Sequence, residues 1–195
     1  MNTILTQVHC EITIKGSRFL AFLIPFDDFE QTLNQLRKTH LKAAHFVYAY
    51  RAMIKDQLNE RFSDDKEPKG SSGMPILNVL RGKELINIVA IVVRYFGGTL
   101  LGVGGLVRAY TQSVLECCHL GEDSGAFLRF ERFSTSYLEC EYSLLGQLEY
   151  LAKKLEIILE KEAFLQKVVK IKISGSATKV DSFLKEYEQD LKFRS

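Results

Sequence analysis

The sequence predicts an α+β protein of two domains, residues 1–125 and residues 126–195. Three observations support this prediction. Strand-like and helix-like segments succeed one another along the 195 residues, a near-continuous apolar run lies at 85–93, and a short polar segment at 122–126 separates two different patterns. The composition, 46% hydrophobic and 26% charged, is typical of a globular protein.

The first part of the chain predicts three strands and a helix. Residues 8–15 and 18–26 are apolar, flank a Lys-Gly-Ser turn and predict two strands. Residues 27–40 begin with two aspartates and then place apolar side chains at helical spacing, which predicts a helix with an aspartate N-cap. The alternation in 45–54 predicts a third strand. The charged and glycine-containing residues 55–73 predict a long loop in which any strand is short.

The remainder of the first domain predicts helix, strand and helix. Pro75 suits the first turn of a short helix that starts near Met74. Residues 85–96 predict a strand that is buried on both faces. Residues 105–121 carry one apolar stripe at helical spacing and end at Gly121, which predicts a helix with a glycine C-cap.

The second domain predicts the order β-α-β-β-α. Residues 127–142 predict a strand region and 144–155 a helix. Residues 156–164 and 166–174 predict a hairpin, and 176–191 predict a closing helix. This order matches most of a ferredoxin-like unit, in which two helices cover one face of an antiparallel sheet.

The charge, the amino terminus and the cysteines restrict the class of protein. The formal net charge of +2 argues neither for nor against a polyanionic partner. We see no secretory signal and no apolar run long enough to cross a bilayer, so a cytoplasmic protein without a membrane partner is expected. The four cysteines form no C-x-x-C pair and are expected to be reduced and mostly buried, without a metal role.

Residues 92–110, the glycine segment, are the most distinctive part of the sequence. The segment contains five of the chain's thirteen glycines between two arginines. It follows a predicted strand and opens a helix, so its free amides and the two guanidinium groups could bind an anion. Alternatively, the glycines allow close packing while the arginines pair with Asp64, Asp65 or Glu67. The candidate anion-binding residues are Arg94, Gly97, Gly98, Gly102, Gly104, Gly105 and Arg108.

Other candidate residues lie in or before the loop at 63–73. Ser71 and Ser72, between two glycines, resemble a phosphate-contacting turn, although such loops are common. His45 could be a general base or a structural histidine. Three carboxylates could hold a hard cation with substrate phosphates or belong to a solvated charged loop: Asp64, Asp65 and Glu67. No catalytic set, cofactor or resident metal is expected.

Four segments of the sequence are distinctive in combination: KGSRFLA (15–21), AAHFVYAYR (43–51), SDDKEPKGSSGMPIL (63–77) and VVRYFGGTLLGVGGLVRAY (92–110). Together they resemble the IMPACT/YigZ family, an uncharacterised family with an Impact N-terminal domain. The glycine segment is the most specific of them. The family's loop usually reads D-D-G-E-P, whereas Lys66 replaces that glycine here, and lysine would be strained at a positive φ.

The resemblance implies a fold for each domain and a role in translation. The first domain would have the left-handed β-α-β topology of the second domain of a small-subunit ribosomal protein. The ferredoxin-like second domain would be similar to the last domain of elongation factor G. The family's eukaryotic relative is a translation regulator, which implies a binding protein that contacts RNA, the ribosome or a translation-associated protein. A small-molecule phosphotransferase or nucleotide-binding enzyme is the alternative, since metabolite kinases share the topology.

Overall fold

A computed structural model describes residues 1–192 of the chain. Contacts divide the chain into two compact units, Met1–Phe130 and the residues from Glu131 onward. The predicted domain boundary at 125/126 stays a prediction, and the contact division falls five residues later. The reason for the difference is a short strand at 127–129, which pairs with residues of the amino terminus.

The first unit contains seven strands and three α-helices. A five-stranded antiparallel sheet has the order β2-β3-β6-β4-β5, and β1 pairs separately with β7. In chain order the elements are β1 (Asn2–Ile4), β2 (Val8–Ile14), β3 (Ser17–Pro25), α1 (Phe29–Thr39), β4 (His45–Ile54), β5 (Gln57–Ser63), α2 (Gly73–Gly82), β6 (Ile88–Tyr95), α3 (Gly102–Asp123) and β7 (Phe127–Arg129).

Strand β6 is the centre of this unit, and the prediction that both of its faces are buried is confirmed. Alternate side chains of β6 enter two different cores, one shared with α2 and α3 and the other shared with α1. The sheet therefore lies between helices on both faces. The residues facing α2 and α3 are Ile88, Ala90 and Val92, and those facing α1 are Val89, Ile91 and Val93.

Strand β5 occupies residues that the sequence assigned to a long loop. It is seven residues long and pairs with β4 in an antiparallel register. Because it is an edge strand with mostly exposed or half-buried side chains, it shows no apolar period that could have identified it. The loop that remains, residues 64–72, is called the acidic loop below.

The second unit has the predicted order β-α-β-β-α. A three-stranded antiparallel sheet in the order β8-β10-β9 packs its buried side chains against both helices. The named likenesses to a ribosomal-protein domain and to elongation factor G stay predictions. The elements are β8 (Phe133–Glu141), α4 (Leu145–Lys154), β9 (Ile158–Phe164), β10 (Val168–Ser176) and α5 (Ala177–Lys192).

Within residues 1–192, no helix combines the length and the apolar character that crossing a bilayer requires.

A candidate binding cavity at the glycine segment

A cavity of about 460 Å³ lies in the first unit, lined by residues from the ends of β4 and β6 and from the start of α3. We call it the Arg94 cavity. Its polar lining comes from His45, Glu67 and Arg94. The apolar lining is formed by Ala44, Pro68, Phe96, Leu100, Leu101, Val103 and Leu106.

A buried ion pair contributes to the polar lining. Arg94 Nη1 donates to Glu67 Oε1 over 2.6 Å, and the same oxygen accepts a hydrogen bond of 2.8 Å from the Tyr110 hydroxyl. The Arg94 guanidinium also lies 5.5 Å from the ring centre of Phe19 and 5.8 Å from that of Phe96. Arg94 Nε is buried and has no hydrogen-bond partner within the described chain.

Tyr110 acts as a donor in this network. Burial, followed by the negative charge of Glu67, raises the pKa of its phenol far above the ordinary value. The hydroxyl therefore keeps its proton at neutral pH and donates to Glu67. The sequence placed Tyr110 only on an apolar stripe, and a buried tyrosine hydroxyl needs a partner that the stripe does not reveal.

His45 presents one ring nitrogen toward this network. Its Nδ1 lies 2.8 Å from the Asp65 carbonyl oxygen, and since a carbonyl can only accept, Nδ1 carries the proton. Nε2 lies 3.7 Å from Glu67 Oε1, which is too long for a hydrogen bond. In the neutral ring, Nε2 is therefore an acceptor without a donor from the described residues.

Asp64 organises the acidic loop and the start of α2. Its Oδ1 accepts hydrogen bonds from the amides of Ser72 and Gly73 and from the Ser72 hydroxyl, and its Oδ2 accepts from the Gly70 amide. Partial burial alone would raise the Asp64 pKa, but these four hydrogen bonds lower it below the ordinary value. Asp64 thus caps α2, although it lies nine residues before the first residue of that helix.

The expected phosphate-contacting turn is not presented to a ligand. Ser71 and Ser72 are both fully buried. Ser71 donates to the Pro68 carbonyl, and Ser72 donates to Asp64. In this conformation both hydroxyls are used inside the loop, because the loop folds around the Asp64 carboxylate.

The acidic loop does not form a cation site either. The Asp65 carboxylate accepts from the Phe46 amide over 2.6 Å, while Asp64 and Glu67 have the donors given above. No group of three or more metal-binding side chains within residues 1–192 is placed to hold an ion. The hypothesis that these carboxylates bind a hard cation is therefore not supported, because each binds neighbouring donors instead.

Replacement of Asp64 by asparagine should destabilise the protein in a pH-dependent way. The amide oxygen can still accept hydrogen bonds, but the charge is lost, so we expect a cost of about 1–2 kcal/mol at pH 7. Because folding lowers the Asp64 pKa, this contribution is complete above the unfolded-state pKa of about 4 and is lost as the pH falls through the folded-state value.

Urea unfolding of wild type and Asp64→Asn at several pH values measures this difference. Asp28→Asn is the control, since Asp28 is exposed and makes no side-chain cap bond to α1. A wild-type advantage over Asp64→Asn that stays constant from neutral pH to below about 4 would contradict the assigned role of Asp64.

Lys66 adopts the conformation that the sequence indicated would strain it. Its φ is +70°, in the left-handed region, and its side chain is exposed. Lys66→Gly should therefore stabilise the protein by about 0.5–1 kcal/mol, because the relieved strain exceeds the added freedom of glycine in the unfolded chain. Lys69→Gly is the control, since Lys69 is exposed on the same loop but does not adopt positive φ. Equal urea midpoints for the two variants would count against the explanation.

The five glycines of the glycine segment serve different purposes. A Cβ at Gly97 would lie 1.9 Å from the carbonyl carbon of Gly16, so Gly97 is required for close packing against the turn between β2 and β3. Gly98 and Gly102 have positive φ, +86° and +70°. A Cβ at Gly105 would come within 3.0 Å of the Leu101 side chain. At Gly104 a Cβ would meet nothing within 4 Å.

The start of α3 exposes backbone amides. No side chain caps the helix, and Leu101 precedes Gly102 with φ −84° and ψ −21°. A right-handed residue followed by one with positive φ orients successive amides toward the same side, as in known anion-binding turns. Leu101, Gly102 and Val103 all line the Arg94 cavity.

The two arginines of the glycine segment do not have equivalent environments. Arg94 lines the cavity and is buried, whereas Arg108 is exposed and is not a lining residue. Because α3 begins at Gly102, Arg108 lies in its second turn rather than in the first, as the sequence had suggested. No hydrogen bond or ion pair joins Arg108 to another residue among 1–192. The sequence suggested that the two guanidinium groups could bind an anion together. In the structure, Arg94 instead forms a buried ion pair, and Arg108 is an exposed cation outside the cavity lining.

Comparison with known proteins identifies relatives over most of the chain. The family model for the Impact N-terminal domain matches residues 15–118. An IMPACT family member from Haemophilus influenzae is 37% identical over 158 residues, which cover 79% of this chain and 75% of that protein. The IMPACT family member YigZ from Escherichia coli is 39% identical over 145 residues, 71% of this chain and 68% of that protein.

One solved structure has a similar fold over nearly the whole length. It is the crystal structure of a hypothetical protein, with a TM-score of 0.65 and 30% sequence identity. The similarity covers 96% of this chain and 91% of that one.

Proposed function

This chain belongs to the IMPACT family, and from that membership we propose that it is a binding protein that acts in translation or its regulation. The resemblance of the sequence implies a translation regulator among the family's eukaryotic members, and this implication supports a role in translation. The proposed contact surface is the rim of the Arg94 cavity together with Arg108, and the proposed partner is RNA phosphate or a ribosome-associated protein.

The observation that carries this proposal is the exposed apolar rim of the cavity. Phe96 is 51% exposed, Leu100 is 84% exposed and Val103 is 59% exposed. All three line the cavity beside the uncapped start of α3. Neighbouring exposed apolar side chains around a concave polar site are typical of a binding surface.

Exposed cations add a means of contacting phosphate or acidic groups. Arg108 projects from α3, and Lys66 and Lys69 lie on the acidic loop, whose Glu67 and Pro68 line the cavity. A surface arginine without an internal partner can bind phosphate without first breaking an ion pair. The rim and these cations together fit a partner that has both apolar and anionic groups.

A phosphotransferase fits the site less well. Such an enzyme would need carboxylates free to hold a metal ion with the substrate phosphates. Asp64 and Asp65 already accept hydrogen bonds from their own neighbourhood, and the charge of Glu67 is already paired with that of Arg94. We therefore propose binding rather than phosphoryl transfer.

Co-sedimentation with ribosomal particles tests the proposal. We expect the protein to migrate with the particles and to dissociate as salt rises, because phosphate contacts release counterions. Treatment with RNase distinguishes RNA from a protein partner. Salt-insensitive recovery of a single metabolic enzyme, with no protein in the ribosomal fractions, would overturn the proposal.

Arg108→Ala should weaken this association without affecting stability. The loss of one charge-assisted hydrogen bond should cost about 1.5–3 kcal/mol of binding free energy. The matched control is Arg37→Ala, because Arg37 is an exposed arginine on α1, which packs on the opposite face of the sheet from α3. Association constants from sedimentation and melting temperatures would be compared. If Arg108→Ala lowers the melting temperature but leaves binding unchanged, Arg108 is a structural residue.

A further inference from the structure

We propose that the Arg94 cavity binds a small zwitterion, an α-amino acid with an apolar side chain. This inference goes beyond the proposed function and does not depend on it, since the ligand would bind the isolated chain. The cavity combines three features that such a ligand requires: amide donors, acceptors that lack donors, and an apolar wall.

The donors are at the start of α3. The first amides of a helix have no acceptor within the helix, and the helix dipole favours an anion beside them. No side chain caps α3, and Gly102 and Gly104 have no side chain to cover the amides. Because Gly102 and Val103 line the cavity, a carboxylate inside it can reach this helix start.

The acceptors are on the polar lining. The Glu67 side chain is only 4% exposed, yet the residue lines the cavity, and its hydrogen bonds from Arg94 and Tyr110 both go to Oε1. No described residue donates to Oε2. His45 Nε2 lies 3.7 Å from Oε1 without a proton to share in the neutral ring. An ammonium group placed beside these two acceptors would donate to both.

Arg94 makes this combination of charges possible. Its guanidinium neutralises Glu67, so a zwitterion adds no net charge to the buried site. The side chain is only 6% exposed, so the ion pair with Glu67 is shielded from water. The unpaired acceptors of Glu67 and His45 lack a donor within residues 1–192, and an ammonium group would supply one.

The cavity also has the size and the wall for an apolar side chain. Its volume of about 460 Å³ is in the range of small-molecule sites. The side chains of Phe96, Leu100 and Leu106 line it. Phe96 and Leu100 are largely exposed, so binding would remove apolar surface from water on both the ligand and the protein.

Calorimetric titration with matched probes tests the inference. The probes are leucine, N-acetylleucine, which lacks the ammonium, and leucinamide, which lacks the carboxylate. We expect leucine to bind and each blocked derivative to bind about tenfold more weakly or worse, since each loses a charge-assisted contact. Equal binding of N-acetylleucine or leucinamide would overturn the inference. So would failure of leucine to bind at about 10 mM, where even a millimolar complex is largely formed.

Two aspartate variants test the location of the site. Gly104→Asp places a carboxylate over the α3 amides, in a position where a Cβ meets nothing, so the helix should tolerate it. Gly146→Asp places the same group in the first turn of α4, also in open space. We expect leucine binding to weaken about tenfold or more in Gly104→Asp and to remain unchanged in Gly146→Asp, with both variants folded by circular dichroism. Unchanged binding in Gly104→Asp, or equal loss in both, would contradict the assignment.

The calorimetric test of the zwitterion site and the sedimentation test of the proposed function give independent results. Sedimentation with ribosomal particles reports the macromolecular partner, whereas calorimetry on the isolated protein reports only the zwitterion. Either result can fail while the other holds.

Discussion

Glu67→Ala should lower the free energy of unfolding by about 3–5 kcal/mol. The side chains of Glu67 and Arg94 are only 4% and 6% exposed, so the variant would leave a buried guanidinium without its counter-ion. The Tyr110 hydroxyl, which is also buried, would lose its acceptor. Urea unfolding monitored by tyrosine fluorescence or circular dichroism measures the change.

Two further variants separate the buried pair from an ordinary ion pair. Glu67→Ala combined with Arg94→Leu removes both charges and should be more stable than Glu67→Ala alone, since no buried charge remains unpaired. Glu11→Ala breaks the exposed pair of Arg18 and Glu11, whose side chains are 50% and 43% exposed, and should cost less than about 1 kcal/mol. If Glu67→Ala lowers the free energy of unfolding no more than Glu11→Ala does, the buried pair of Glu67 and Arg94 does not stabilise the protein more than an exposed pair.

The sequence predicted most elements of the fold because their burial follows a period. Strand β6 is buried on both faces and α3 on one stripe, so their apolar side chains recur in recognisable positions. Strand β5 was missed because an edge strand of charged and half-buried residues has no such period. Strand β7 was assigned to the second domain because its partner, β1, is distant in sequence.

Residues of the glycine segment line the Arg94 cavity, but the contacts of the polar side chains there could not be predicted from the sequence. The sequence left the arginine's carboxylate partner open among three residues. Only the tertiary arrangement selects Glu67, since Asp64 is turned toward α2 and Asp65 toward β4. The role of Tyr110 depends on a contact with Glu67, 43 residues away in sequence, which residue spacing cannot reveal. The Asp64 cap is local but depends on the conformation of an irregular loop, which has no period to predict it.

The question whether the glycines serve close packing or ligand access has a different answer at each position. Gly97 packs against a backbone turn, whereas Gly104 stands at an open helix start. Gly104 lies inside α3, and a Cβ there would meet nothing within 4 Å, so an added side chain obstructs no neighbouring backbone. These two glycines therefore provide a direct comparison.

Gly97→Ala should destabilise the protein by about 3 kcal/mol or more, at the upper end of the cost of overpacking. Its Cβ would lie 1.9 Å from the carbonyl carbon of Gly16 and 2.2 Å from the Ser17 amide nitrogen. Backbone atoms cannot rotate away as a side chain can, so the turn between β2 and β3 must move. Gly104→Ala should instead stabilise the protein by about 0.5–1 kcal/mol, because alanine loses less freedom than glycine on entering a helix.

Urea midpoints for the two alanine variants test the packing role of Gly97 directly. The exchange adds the same single methyl group, seven residues apart in one segment, so side-chain chemistry is identical and only the surroundings differ. Opposite shifts would show that close approach to Gly16 determines the need for glycine at Gly97. Shifts of the same sign and size would mean that the turn between β2 and β3 moves aside at little cost in free energy. Close packing would then not explain the glycine at position 97.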